Sequence, residues 1–249
     1  MRNARKFAKG ACWLAMICAV SGWSQEKWSY GGKTGPENWG KLDRAFAACK
    51  TGKTQSPIDI RHAKAADLPA IQFDYKPAPL HIINNGHTIE IDYPAGSSIT
   101  VGDKKYELKQ FHFHHPSENK INKRLFNMEA HFVHADANGN LAVVAVMLKP
   151  GAGNALLATL WAHVPREPGP EKAFDDVTIN AADLLPANRS YYTFPGSLTT
   201  PPCSEGVTWL VLKTPESLTQ AQSDTFGSIY PDNARPEQKT NGRAVQESH

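Results

Sequence analysis

The sequence holds 249 residues, 41% hydrophobic and 20% charged, with 18 glycines and 18 prolines, a composition that excludes collagen, coiled coil and bulk disorder. Its formal charge of +3 rests on the first 24 residues, where Arg2, Arg5, Lys6 and Lys9 stand without an acid; removing them leaves 23 bases against 24 acids. A net charge near −1 gives no electrostatic basis for binding nucleic acid.

The chain opens as a targeting segment. After the four bases, Ala11 to Val20 form an apolar run of signal-peptide length, too short to span a bilayer. Small residues at Ala19/Ser21 and Gly22/Ser24 offer two cleavage sites, near 21–24. The expectation is a signal peptide over 1–24, one domain over 25–249, and a chain that is periplasmic or secreted, with no membrane attachment after cleavage. Cys18 follows Met16 and Ile17, a poor lipoprotein signal. Cleavage takes Cys12 and Cys18 away and leaves Cys49 and Cys203. Two cysteines in an oxidising compartment most simply form one disulfide, worth up to ~4–5 kcal/mol for so long a loop; two unrelated thiols are the alternative.

Residues 25–55, rich in Gly, Lys and Trp, show no sustained period and read as an irregular, packed arm. LHII-NNG-HTIEI (80–91) reads as two strands around an Asn-Gly turn. Residues 105–115 alternate, and LAVVAVML (141–148) is a continuous apolar run, as expected of a strand buried on both faces. Further strands are expected near 127–134, 190–195 and 206–213. A helix over 154–164 would bury Leu156, Leu157, Leu160, Trp161 and Val164 on one face. Thr214-Pro215-Glu216 predicts an N-cap and a proline at N1 for a second helix through about 227. No repeat or long linker interrupts the pattern, which reads as a single β-rich domain.

Five of the ten histidines fall in QFHFHH (110–115) and EAHFVH (129–134). Strand side chains at i and i+2 share a face, so Gln110, His112 and His114 point one way, and Glu129, His131 and Val133 share a face of the second strand. Neighbouring strands would bring three imidazoles to one point. Three neutral imidazoles suit zinc, and a fourth position open to water marks a catalytic site. Gln110 and Glu129 stand where imidazole N–H groups need partners. His115 and His134 fall on the opposite faces and read as structural. The spacing of His112, His114 and Glu118 also fits a cupin metal site. A cupin, however, wants glycines where Tyr106 and Leu125 stand, and Pro and Gly where Phe126 and Met128 stand.

GPENW (35–39), QSPIDI (55–60), NNGH (84–87), QFHFH (110–114), EAHFVH (129–134) and SLTTPPCSEGVTWLVL (197–212), in that order, resemble the α-class carbonic anhydrases in their bacterial exported form, from Trp28 almost to the C-terminus. The resemblance implies one domain on a large twisted, mainly antiparallel sheet with a few surface helices. It implies reversible hydration of carbon dioxide by zinc-bound hydroxide, with one Zn2+ on His112, His114 and His131. Glu118 and Thr199 match the gatekeeping pair, Thr200 a bicarbonate contact, and Tyr30 a tyrosine holding water. Val133, Val143, Leu198 and Trp209 match the apolar wall where carbon dioxide sits. His87 matches the proton carrier, and its reference pKa of ~6.5 suits that task. Cys49 and Cys203 match the disulfide of exported members. Sulfonamides and small anions are the expected inhibitors, with ester cleavage a weak side activity. A non-catalytic binding relative would lack a zinc histidine; all three are present. Glu90 departs from the pattern, since well-studied animal enzymes carry a neutral polar residue there.

Overall fold

Why the chain folds as it does is clearest where local chemistry forces a turn. The structure, a computed structural model, describes residues 28–249; the expected signal segment, with Cys12 and Cys18, lies outside these residues. At 84–88, Gly86 takes a positive φ of 90°, the Asn85 side-chain oxygen accepts from His87 and Thr88 N–H at 3.0 Å, and Asn84 Oδ1 accepts from Gly86 N–H at 3.1 Å. Glycine enters that backbone region without a steric penalty, and the asparagines satisfy the turn's amides.

The described strands are β1 (Asp59–Ile60), β2 (Lys64–Ala65), β3 (Ile71–Asp74), β4 (Ala78–Asn84), β5 (Ile89–Asp92), β6 (Ser98–Val101), β7 (Lys104–His114), β8 (Lys120–Ile121), β9 (Met128–Ala135), β10 (Leu141–Pro150), β11 (Lys172–Ile179), β12 (Tyr191–Ser197), β13 (Glu205–Leu212), β14 (Glu216–Leu218) and β15 (Gln246–Glu247). The helices are α1 (Trp39–Leu42), α2 (Ala48–Thr51), α3 (Ala155–His163) and α4 (Gln220–Gly227). Thirteen strands make one sheet with the main order β11-β4-β5-β7-β9-β10-β13-β12-β15-β2; β14 joins β10, and β6 bridges β3 and β7. Its ladders are antiparallel except β10–β13, β10–β14 and β15–β2. The β-rich single domain read from the sequence is what forms.

Burial on both sides of this sheet positions the site. On β10, Ala142, Val144, Val146 and Leu148 enter one apolar cluster, whereas Val143, Ala145 and Met147 enter another. That division accounts for the uninterrupted apolar run. The first cluster is covered by α3 and α4 through Leu156, Leu157, Leu160 and Phe226, with Trp161 and Val164 partly buried beside them. Asn154 caps α3 by accepting from Leu157 N–H at 3.1 Å.

Three expectations need correction. The helix expected from Thr214 begins later: Glu216–Leu218 is a strand pairing in parallel with Leu148–Pro150, and Leu218 is fully buried. Thr219 is the N-cap, accepting from Gln222 N–H at 3.1 Å while the Gln222 side chain accepts from Thr219 N–H at 3.0 Å. The alternation over 105–115 breaks as well. The register shifts between Leu108 and Gln110, so that Leu108, Phe111 and Phe113 all reach the first cluster. One extra residue in a strand re-aims everything beyond it. The N-terminal arm is less irregular than expected, since it holds α1 and α2, and it buries Trp39 completely.

Candidate metal centre and active-site cleft

The bulge in β7 turns Gln110, His112 and His114 away from the aromatic core. His112 faces His131 across the β7–β9 ladder. One ligand atom from each of His112, His114 and His131 lies within 4.8 Å of the others. The three rings stand edge to face or tilted, with centroids 4.5 to 5.3 Å apart.

Each ring is held from behind. His112 Nδ1 meets Gln110 Oε1 at 2.8 Å, and His114 Nδ1 meets the Asn233 carbonyl at 2.8 Å. His131 Nε2 lies 3.0 Å from Glu129 Oε1. A carbonyl or amide oxygen can only accept, so Nδ1 of the first two rings carries the proton and Nε2 keeps its lone pair. His114 Nε2 is buried without a hydrogen-bond partner. Burial lowers the pKa of all three, and neighbouring imidazoles depress His112 and His131 further. Neutral, mutually convergent imidazoles with an orphaned buried nitrogen fit a borderline-soft cation such as zinc.

Two buried carboxyls complete the floor. Glu129 accepts from Glu118 N–H at 2.7 Å and from the Asn119 backbone and side chain at 2.8 and 2.7 Å. Glu118 Oε1 accepts from Arg235 N–H at 2.8 Å, while Oε2 lies 3.5 Å from His114 Nε2 and 3.9 Å from His131 Nδ1. Burial pushes Glu118 up to about 8; the Arg235 amide and the Thr199 hydroxyl, which hydrogen bonds to it, pull the other way. Glu118 therefore stands beside the imidazoles as the partner of Thr199, and the convergent ligand atoms are those of the three histidines rather than the His112, His114 and Glu118 set of a cupin.

Val133, Val143, Leu198 and Trp209 fall into one apolar cluster, and the Trp209 ring meets His131 edge-on at 4.9 Å. The loop from β12 that carries Thr199 is pinned: Leu198 N–H donates to Ser204 at 3.0 Å, Cys203 N–H donates to Thr200 at 2.8 Å, and Cys203 is disulfide-bonded to Cys49. Beside the imidazoles opens a cleft of about 220 Å³, lined by Tyr30, His87, Glu90, His112, His114 and Thr200 among others. His131, Thr199 and the apolar wall stand outside that polar half. His87 stacks on Trp28 with centroids 3.6 Å apart, and burial lowers its pKa to about 4. His134 lies on the other face, buried, with Tyr75 Oη 2.8 Å from its Nε2. His115 Nδ1 contacts the Pro231 carbonyl at 2.9 Å, away from the imidazole cluster.

Sequence reasoning missed Asn233, Arg235 and Asn119. Asn233 orients His114 through its backbone carbonyl, and a carbonyl leaves no mark in a sequence. Its side chain also donates to the carbonyls of His87 and Phe113, both at 3.0 Å. Arg235 is buried, with its guanidinium on Gln55, Ser56 and Cys49 at 2.8 to 3.1 Å.

A family profile described as eukaryotic-type carbonic anhydrase matches residues 34–249. The carbonic anhydrase of Neisseria gonorrhoeae is 47% identical over 222 residues, covering 88% of this chain and 87% of that protein. The carbonic anhydrase of a Nostoc strain is 43% identical over 226 residues, covering 89% and 86%. Among solved structures, a hyperthermostable carbonic anhydrase from an active hydrothermal vent chimney superposes with TM-score 0.86 at 45% identity, over 89% of this chain and all of that one. The α-carbonic anhydrase of Thermovibrio ammonificans, solved with the inhibitor sulfanilamide, gives 0.85 at 44% identity over 88% and 98%. Likeness in sequence and in fold thus extends across the stretch that builds the three-histidine cluster, and the chain belongs to the α-class, eukaryotic-type carbonic anhydrases, enzymes of reversible carbon dioxide hydration.

Proposed function

We propose that this chain hydrates carbon dioxide to bicarbonate and a proton with one zinc ion on His112 Nε2, His114 Nε2 and His131 Nδ1. The observation that carries this reading is the set of three imidazoles whose outward nitrogens face oxygens of Gln110, Asn233 and Glu129 at 2.8 to 3.0 Å. Zinc bound there lowers the pKa of water to ~7 and supplies a nucleophile at neutral pH. The remaining work belongs to the protein. Glu118 accepts a hydrogen bond from the Thr199 hydroxyl, so the Thr199 oxygen can only accept in turn; an O–H in the cleft then points at Thr199 and leaves its oxygen lone pair toward the substrate. Val133, Val143, Leu198 and Trp209 give carbon dioxide, which is apolar, a surface that water does not contest. Thr200 contacts bicarbonate, Tyr30 orders cleft water, and His87 receives the departing proton.

The neighbour's sulfanilamide complex supports sulfonamides as ligands of the same cleft. The basic and apolar opening of the sequence, together with the Cys49–Cys203 disulfide, supports removal of residues 1–24 and export to the periplasm or cell exterior. Among the described residues no helix is long and apolar enough to cross a membrane.

Metal analysis and stopped-flow carbon dioxide hydration on chain 25–249 test the reading. The wild type should hold one zinc per chain and be active. His131→Ala should hold none and lose hydration while remaining folded, because the apolar clusters do not depend on the metal. Full activity without metal would sink the mechanism.

A further inference from the structure

Gln110 poses a question that the metal site does not answer by itself. An amide is nearly symmetric in shape, and either end could face His112. With Oε1 toward His112, Nδ1 is the donor and Nε2 is free for a cation; with Nε2 toward it, the imidazole proton moves to the cation's side and the lone pair is lost. Something on the far side of the amide must choose.

We propose that Glu90 is a positioning residue for His112: its carboxyl takes the Gln110 amide N–H and so turns the Gln110 oxygen onto His112 Nδ1, fixing the tautomer that leaves Nε2 for the metal. Glu90 lies directly opposite His112 in the β5–β7 ladder, with Asp92 opposite Gln110. Gln110 Nε2 donates to Glu90 Oε2 at 3.1 Å while Gln110 Oε1 meets His112 Nδ1 at 2.8 Å, a continuous line of two hydrogen bonds. Reversing the amide would set two acceptor oxygens against each other at Glu90 and, at His112, either oppose two N–H groups or force the tautomer that blocks Nε2.

Glu90 is itself held. Asn85 Nδ2 donates to the same Oε2 at 3.4 Å, and the carboxyl shares a hydrogen bond with Asp92. Asp92 in turn bonds Glu171, which pairs with His81 at 2.6 Å. Burial, then the charge of Asp92, raises Glu90 to about 7. An ionised Glu90 can only accept, and a protonated one that gives its O–H to Asp92 still has lone pairs for the Gln110 N–H, so the amide keeps its orientation in both states.

The role rests on the zinc reading, so the experiment separates the two. Full-length mature chain is prepared as wild type, Glu90→Met, which keeps bulk and removes the acceptor, and Glu90→Gln, which restores an acceptor oxygen. Zinc release to a chelator is followed on the loaded proteins, and the His112 tautomer is read by long-range proton–nitrogen NMR after metal removal. Wild type should show His112 protonated at Nδ1. Glu90→Met should show mixed tautomers and release zinc roughly 10-fold faster, the low end for losing a partner behind a ligand. Glu90→Gln should return both to wild type. An unchanged tautomer and release rate in Glu90→Met would overturn the proposal, as would loss of both in Glu90→Gln. Wild type that takes up no zinc yet shows the Nδ1 tautomer would instead overturn the metal reading and leave the positioning role standing.

Discussion

His87 shows how much one environment can change a residue whose type looks ideal for its task. An imidazole of ordinary pKa is close to optimal for carrying a proton near neutral pH. Stacked on Trp28 and half-buried, this one is held at about 4, so it is neutral throughout the working range and reluctant to charge where it sits. Rotation off the Trp28 face would return it to water and to its ordinary affinity. Replacing His87 with Ala should therefore lower kcat in weak buffer by about 10²-fold, at the low end of general acid–base contributions, with kcat/KM little changed. Added imidazole should restore the rate by carrying protons through solution. An unchanged kcat in weak buffer would assign the proton another exit. The zinc histidines were readable because strand parity puts His112 and His114 on one face and His131 on the face of a second strand, a convergence that the family resemblance repeats. Asn233 was not readable, since it acts on His114 through a carbonyl every residue possesses.

At the level of elements, local signals and tertiary pairing compete, and pairing decides. Thr214-Pro215-Glu216 reads as a helix start in the sequence, and Thr219 is the N-cap that the structure uses. The second wins because Glu216–Leu218 gains a strand partner in β10 and buries Leu218, which a helix begun at Thr214 would forgo. The β7 bulge was equally hidden, although the phase change from Tyr106 and Leu108 to Phe111 and Phe113 is visible once the two faces are known. The loop carrying Thr199 has little regular structure, so its order rests on the Cys49–Cys203 bond and a few backbone hydrogen bonds. Reducing that bond, or replacing both cysteines with serine, should lower stability by about 2–4 kcal/mol in denaturant titration. Hydration should fall with it, since Thr199 loses its fixed position. Equal unfolding midpoints for oxidised and reduced protein would remove the disulfide from any structural account.

For the whole molecule, burial of titratable groups on both sides of the sheet makes stability depend on pH in opposing ways. Carboxyls held high, Glu90 at about 7 and Glu118 at about 8, bind protons more readily folded than unfolded, so they favour the fold as pH falls toward the ordinary carboxylate range. His134 works against them. Its ring is buried on the core face, with Tyr75 Oη at 2.8 Å and the Ala142 carbonyl at 3.3 Å, and burial lowers its pKa to about 4. The unfolded chain takes up a proton at His134 near pH 6.5, which the folded chain refuses until about pH 4. Between those values the unfolded state binds more protons, and stability must drop as pH falls. The full loss, reached below pH 4, is about 3 kcal/mol by linkage. Because the carboxyls move the total the other way, the wild-type profile alone cannot isolate this contribution; a variant can. His134→Gln should be less stable than wild type at pH 7, where Tyr75 loses its imidazole partner. It should also recover ground on wild type by about 2–3 kcal/mol when both are unfolded in denaturant at pH 4.5. If the gap between the two proteins is the same at pH 7 and pH 4.5, His134 does not titrate with folding.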